Sequence, residues 1–97
     1  GSCVIRHDAP MDADRVSTWL TDYLAEHGAD ILRVKGIVNV ANEPRKLVFH
    51  GVHMMIEGDL QNCWEADEQR QTKIVWIGRN LDRQVLQAAL EQCLSPG

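Results

Sequence analysis

Ile31-Leu32-Arg33-Val34-Lys35-Gly36-Ile37-Val38-Asn39-Val40, then the turn residues Asn42-Glu43-Pro44-Arg45, then Lys46 to Glu57, is the stretch that decides the fold. Both arms are rich in β-branched and aromatic residues, which suit a pleated, half-buried surface. Side chains alternate along a strand, so Leu32, Val34, Val38 and Val40 are expected on one face and Arg33, Lys35 and Asn39 on the other. The turn chemistry between the arms makes them an antiparallel hairpin. Gly36 interrupts the first arm and predicts a bulge or a close backbone approach there. Gly58 and Asp59 end the second arm.

Upstream, Cys3 to Asp8 reads as a short strand stopped by Pro10. Asp12 is placed to cap a helix, with Asp14 in its first turn near the positive end of the helix dipole. Val16, Trp19, Leu20, Tyr23 and Leu24 then recur at helical spacing, and Gly28 is placed to end the helix in a left-handed conformation. Downstream, residues 60–71 are polar around a lone Trp64 and read as a loop. Thr72 to Gly78 is almost continuously apolar, the pattern of a strand that is central or covered on both sides. Asn80 is the expected cap of a last helix carrying Leu81, Val85, Ala89, Leu90 and Cys93. Trp19 and Trp76 are the expected core anchors.

The order is therefore β-α-β-β-β-α. It is an α+β fold: a four-stranded, mainly antiparallel sheet with two helices on one face. The opposite face would carry Arg33, Lys35, His50, Val52 and Met54, a mixture too apolar to rest comfortably in water. It is a candidate docking surface.

The chain has 97 residues, 44% apolar and 25% charged, the proportions of one ordinary globular domain. A net charge of −4 argues against a nucleic-acid module. No apolar run approaches the ~18 residues of a membrane span, and no signal peptide is evident. Cys3, Cys63 and Cys93 form no metal or disulfide spacing, so reduced thiols in a cytoplasmic protein are expected. Gly1-Ser2 reads as the remnant of a cleaved tag, leaving residues 3–95 as the domain.

Several groups invite a chemical reading. His50 and His53 form an H-x-x-H pair, but residues three apart on a strand point to opposite faces. A shared metal would need a bulge at Gly51, with Cys63 or His7 completing the site; two separate histidines are the plainer reading. Arg33 and Lys35 share a face and repel, so they are either solvated stems or contacts to another domain. The acidic loop from Trp64 to Arg70 either holds a hard cation or packs its tryptophan over the sheet edge, with Arg70 paired to a carboxylate. Gly78-Arg79-Asn80-Leu81 leads into a helix N-terminus, where anions can bind, although no P-loop motif is present. No nucleophile or triad is readable, which argues against independent catalysis.

Taken together, Arg6 to Pro10 with Trp19-Leu20, Leu32 to Gly36, Val48 to His53, Trp64, Arg70 and Val75 to Leu81 resemble the C-terminal domain of CobW-type GTPases. That family includes cobalamin-synthesis proteins and related metal-trafficking GTPases. The resemblance covers nearly all of residues 3–94. His50 departs from it, because the family more often shows glutamine there. The resemblance implies an N-terminal P-loop GTPase domain carrying GTP, Mg and a Cys-x-Cys-Cys metal motif, and a role in delivering zinc or cobalt. This domain would then be the non-catalytic, regulatory half. It would contact the GTPase domain, a client metalloprotein or a second copy through Arg33, Lys35, His50, Val52 and Arg79.

Overall fold

A computed structural model of the chain describes residues 1–52 and 55–96. The elements are β1 (Ser2–His7), α1 (Ala13–His27), a 3-10 turn (Gly28–Asp30), β2 (Ile31–Val38), β3 (Arg45–Val52), β4 (Met55–Cys63), β5 (Thr72–Gly78) and α2 (Arg83–Glu91). The sheet has five strands in the order β1-β5-β2-β3-β4, and every pairing is antiparallel.

The fifth strand corrects the four-stranded expectation. Lys46 to Glu57 is not one strand: β3 ends at Val52, and Val52 pairs back onto Met55. β4 then runs on to Cys63 through residues read from sequence as a polar loop. It is an edge strand with only Ile56 and Leu60 half-buried, so it lacks the apolar alternation that marks an inner strand. The apolar β5 lies between β1 and β2, as its composition requires.

α1 begins where Asp12 accepts the backbone N–H of Arg15 at 3.1 Å. Val16, Leu20 and Leu24, four residues apart, form its buried stripe. Trp19 and Tyr23 sit on the shoulder of that stripe, with ring centroids 6.0 and 5.1 Å from Trp76. Trp76 is fully buried, whereas Trp19 is only partly so, and the core has one tryptophan anchor rather than two. Gly28 has φ −56°, so the helix tightens into the 3-10 turn instead of ending left-handed.

α2 is capped by Asp82, whose side chain accepts from the N–H groups of Gln84 and Val85. Asn80, the expected cap, takes a left-handed φ of 55° in the preceding bend. Starting at Arg83 turns Leu86 and Leu90 inward, with Cys93 beyond them, and leaves Val85 56% exposed.

The buried residues of both helices form one cluster with Ile5, Ile31, Val34, Val38, Phe49, Ile74 and Trp76 of the strands. Both helices thus cover the same side of the sheet. A register shift against β5 between Ile31 and Arg33 swings Leu32 out to 70% exposure, so the core positions of β2 are Ile31, Val34 and Val38. The bulge lies there and not at Gly36. Gly36 is instead a close approach: an added Cβ would stand 2.8 Å from the Lys73 carbonyl and 2.9 Å from Phe49 Cε1. Asn39 lies beyond the end of β2 and is buried, not on the open face. Its N–H donates to Thr72 Oγ1 at 3.0 Å and its Nδ2 to the Asp8 carbonyl at 3.2 Å.

Candidate functional site

Cross-strand partners share a face, so the register lays out the side of the sheet that the helices leave open. Lys35 of β2 faces Val75 of β5 and His50 of β3, and these extend to Val4 and Glu57. The next row runs Arg6, Lys73, Ile37, Val48, Asp59. Arg33 sits opposite Ile77, and Val52 opposite Met55. Ile37, Val52 and Ile77 each keep 36–41% of their surface exposed, and Met55 70%. Between Lys35 and Lys73 lies a shallow cavity of about 320 Å³, bounded by Ile37, Val48 and Val75.

The charge on this face is sorted by strand. Arg6, Lys73, Arg33, Lys35 and His50 occupy β1, β5, β2 and β3, while Glu57 and Asp59 occupy the β4 edge. Among the described residues, no carboxylate lies within ion-pair distance of Arg33, Lys35 or Lys73. Like charges at Arg33 and Lys35 therefore raise the free energy of the uncovered face until an acidic surface meets it. Arg33, Lys35, His50 and Val52 are thus brought together. Arg79 is not: it stands on the β5–α2 connection, its guanidinium 3.7 Å from Asp30 and 3.4 Å from the Ala29 carbonyl.

His50 stands 3.7 Å from Glu57, an exposed surface pair worth little on its own. His53, the second member of the H-x-x-H pair, and Met54 lie outside the described residues. The other proposed ligands are separated from His50 by register. His7 is three strands away, roughly 14 Å at normal strand spacing, and its Nδ1 accepts the Ala9 N–H at 3.1 Å. Cys63 pairs with Arg45, five residues along β3 from His50, which is roughly 16 Å at the usual rise per residue. Neither Cys63 nor His7 can complete a site on His50. Among the described residues there is no group of three His, Cys, Asp or Glu that could hold a metal ion.

The loop after β4 is a packed latch. Lys46 and Arg70 both lie over the Trp64 ring, at 5.2 and 5.7 Å from its centroid. Lys46 pairs with Glu68 at 2.9 Å. The backbone N–H of Glu65, together with the Lys46 ammonium, holds the Glu68 carboxyl below its usual range. Arg70 does not pair with a carboxylate as expected. Its guanidinium donates to Asn39 Oδ1 at 2.9 Å and to the carbonyls of Val40 and Glu43, tying the loop to the β2–β3 turn. Sequence reasoning missed this role because every acceptor but Asn39 is backbone.

The chain is thus an antiparallel sheet covered by two helices on one side and carrying mixed apolar and charged groups on the other. The chain belongs to the family of cobalamin synthesis protein cobW C-terminal domains, whose model matches residues 1–94. It is 33% identical over 88 residues to the zinc chaperone YjiA of Escherichia coli, a match covering 91% of this chain and 27% of that protein. It is 35% identical over 66 residues to the zinc chaperone CobW of Pseudomonas aeruginosa, covering 68% of this chain and 18% of that one. The crystal structure of Zn(II)-bound YjiA GTPase from E. coli superposes with a TM-score of 0.89 at 30% identity, over 98% of this chain and 30% of that one. The matched part of the chain spans only 27% and 18% of the length of these two relatives. No described helix is long and apolar enough to cross a membrane.

Proposed function

We propose that this chain is the non-catalytic interaction domain of a GTP-dependent metal chaperone that handles zinc, or cobalt in cobalamin synthesis, in the cytoplasm. In this reading the open sheet face docks against an acidic surface of the P-loop GTPase domain of the same protein. GTP and Mg belong to that partner domain. One observation carries the reading: the sheet has a helix-free face with an apolar centre on which Arg33, Lys35 and Lys73 find no carboxylate partner among the described residues. Nucleotide state would reach the face only through contacts that differ between the GTP and GDP forms of the partner. Client metalloproteins, or a second copy, would compete for the same face.

The test is to titrate the chain with the separately produced GTPase domain and follow both by NMR. Chemical-shift changes are expected at Arg33, Lys35, His50 and Val52, and Arg33→Ala with Lys35→Ala should weaken association by at least about tenfold, a loss of ~1.4 kcal/mol. Undiminished association of the double variant would remove the face from the argument. The chain alone should hydrolyse GTP no faster than buffer.

A further inference from the structure

A second surface lies on the far side of β1. The Gly78 N–H donates to the Gly1 carbonyl at 3.0 Å, and the Gly1 amino group donates back to the Gly78 carbonyl at 2.8 Å. In an antiparallel ladder such mutually bonded pairs recur at every second residue. Cys3, Ile5 and His7 therefore spend their backbone groups on β5, while Ser2, Val4 and Arg6 turn theirs toward the open edge. Gln87 of α2 takes one of them, donating its Nε2 to the Arg6 carbonyl at 2.8 Å. The N–H and C=O of Ser2 and Val4, and the N–H of Arg6, are left in the alternation that an added strand would match.

Beside this edge is a cavity of about 570 Å³ into which Arg6, Arg79 and Arg83 contribute. Among the described residues no aspartate or glutamate lines it, although the chain as a whole carries a charge of −4. An anionic strand would meet three guanidinium groups there, of which Arg79 already stands 3.7 Å from Asp30 while Arg6 and Arg83 have no carboxylate partner among the described residues. Guanidinium forks bind carboxylates in a geometry that lysine cannot copy.

We propose that the β1 edge is a binding groove for an extended acidic peptide segment. The segment joins the sheet as a sixth strand beside Val4 and Arg6 and places its carboxylates on Arg6, Arg79 and Arg83. The groove shares Val4 and Arg6 with the rim of the open face, but Arg33, Lys35, His50 and Val52 lie outside it and it does not depend on the docking of a GTPase domain, so either reading can fail alone.

The probe is an acetylated eight-residue peptide of alternating glutamate and threonine, titrated into the ¹⁵N-labelled chain, with the lysine–threonine peptide as control. The amides of Val4 and Arg6 should shift and become slower to exchange with solvent, and only the glutamate peptide should bind. Arg79→Gln with Arg83→Gln should weaken binding about tenfold or more. Both side chains are exposed, and an unchanged melting temperature verifies the fold. Val4→Pro removes an N–H that β5 does not use, a position where edge strands tolerate proline, and should abolish binding. The proposal is overturned by equal binding of the lysine peptide, by shifts centred on Arg33 and Lys35 or on β4, or by no shift at millimolar peptide. Full binding by Val4→Pro would overturn it as well, since strand addition requires that N–H.

Discussion

Replacing Gly36 by alanine puts the sheet packing to its sharpest test, with a built-in control at Gly58. Gly36 pairs with Phe49 on one side and Ile74 on the other, on the face the helices cover. A Cβ there would stand 2.8 Å from the Lys73 carbonyl oxygen, 2.9 Å from Phe49 Cε1 and 3.0 Å from Ile74 Cγ1. The two side chains can give a little. The carbonyl belongs to the β2–β5 ladder and cannot move without disturbing Ile37↔Lys73. Overpacking of this kind costs about 1–3 kcal/mol, offset in part by the ~0.4–1 kcal/mol that alanine gains by restricting the unfolded chain. The middle of these ranges leaves a net loss of about 1.3 kcal/mol, and a domain of 97 residues loses about 4–8 °C per kcal/mol, so Gly36→Ala should melt about 5–10 °C lower. At Gly58 the nearest atoms to an added Cβ are Phe49 Cβ at 3.5 Å and the Val48 carbonyl at 3.7 Å, ordinary contact. Gly58→Ala should therefore be neutral, or more stable by up to about 1 kcal/mol. Thermal unfolding by circular dichroism, checked by urea titration, reads both. If the two variants melt together, Gly36 is not wedged between β5 and Phe49 and the core register is misassigned.

Arg70→Ala should lower stability by roughly 2–3 kcal/mol, because it strands the Asn39 amide oxygen and the Glu43 carbonyl and leaves the Val40 carbonyl only the Glu43 N–H; Arg70→Lys should recover only part, since one ammonium cannot span a forked set of acceptors, and parent-like urea midpoints for both would remove the latch. A thiol reagent should label exposed Cys63 first and buried Cys93 last, and burial pushes the Cys93 thiol up as well; labelling of Cys93 at the rate of Cys63 would show that α2 is loosely seated. The Glu43 carboxyl is held down by hydrogen bonds from Arg45, and that of Glu68 by the Glu65 N–H and Lys46. A carboxyl lowered in the folded state contributes stability above its unfolded value near ~4.3 and loses it as pH falls through the folded one. The melting temperature should therefore drop below about pH 5, less steeply for Glu68→Gln, and parallel curves for parent and variant would refute that pairing.

Periodic apolar spacing carried the reading of the fold wherever an element has one dry face. α1, the β2–β3 hairpin and the inner strand β5 were legible for that reason. β4 was not, because an edge strand such as Glu57-Gly58-Asp59-Leu60-Gln61-Asn62 has the composition of a loop and is held by a neighbour's backbone. The position of α2 turned on whether Asn80 or Asp82 caps it, and two residues of difference exchange Val85 for Leu86 in the core. The outward swing of Leu32 arises from its register against β5, some 45 residues on, and local pattern does not encode it. For the open face, alternation was enough to bring Arg33, Lys35, His50 and Val52 together. Separating His50 from His7 and Cys63 needed the strand order, and the β1 groove needed to know that β1 is an edge.

The strand order also constrains how the domain is made. β2, β3 and β4 are sequence neighbours and can zip into a meander while the ribosome is still adding later residues. β1 has no strand to lie against until Thr72–Gly78 has emerged, and the seam where Met11 bridges both Val40 and Leu94 closes only when the last helix is complete. During synthesis the first strand waits unpaired the longest, so it is the segment most in need of a chaperone's cover.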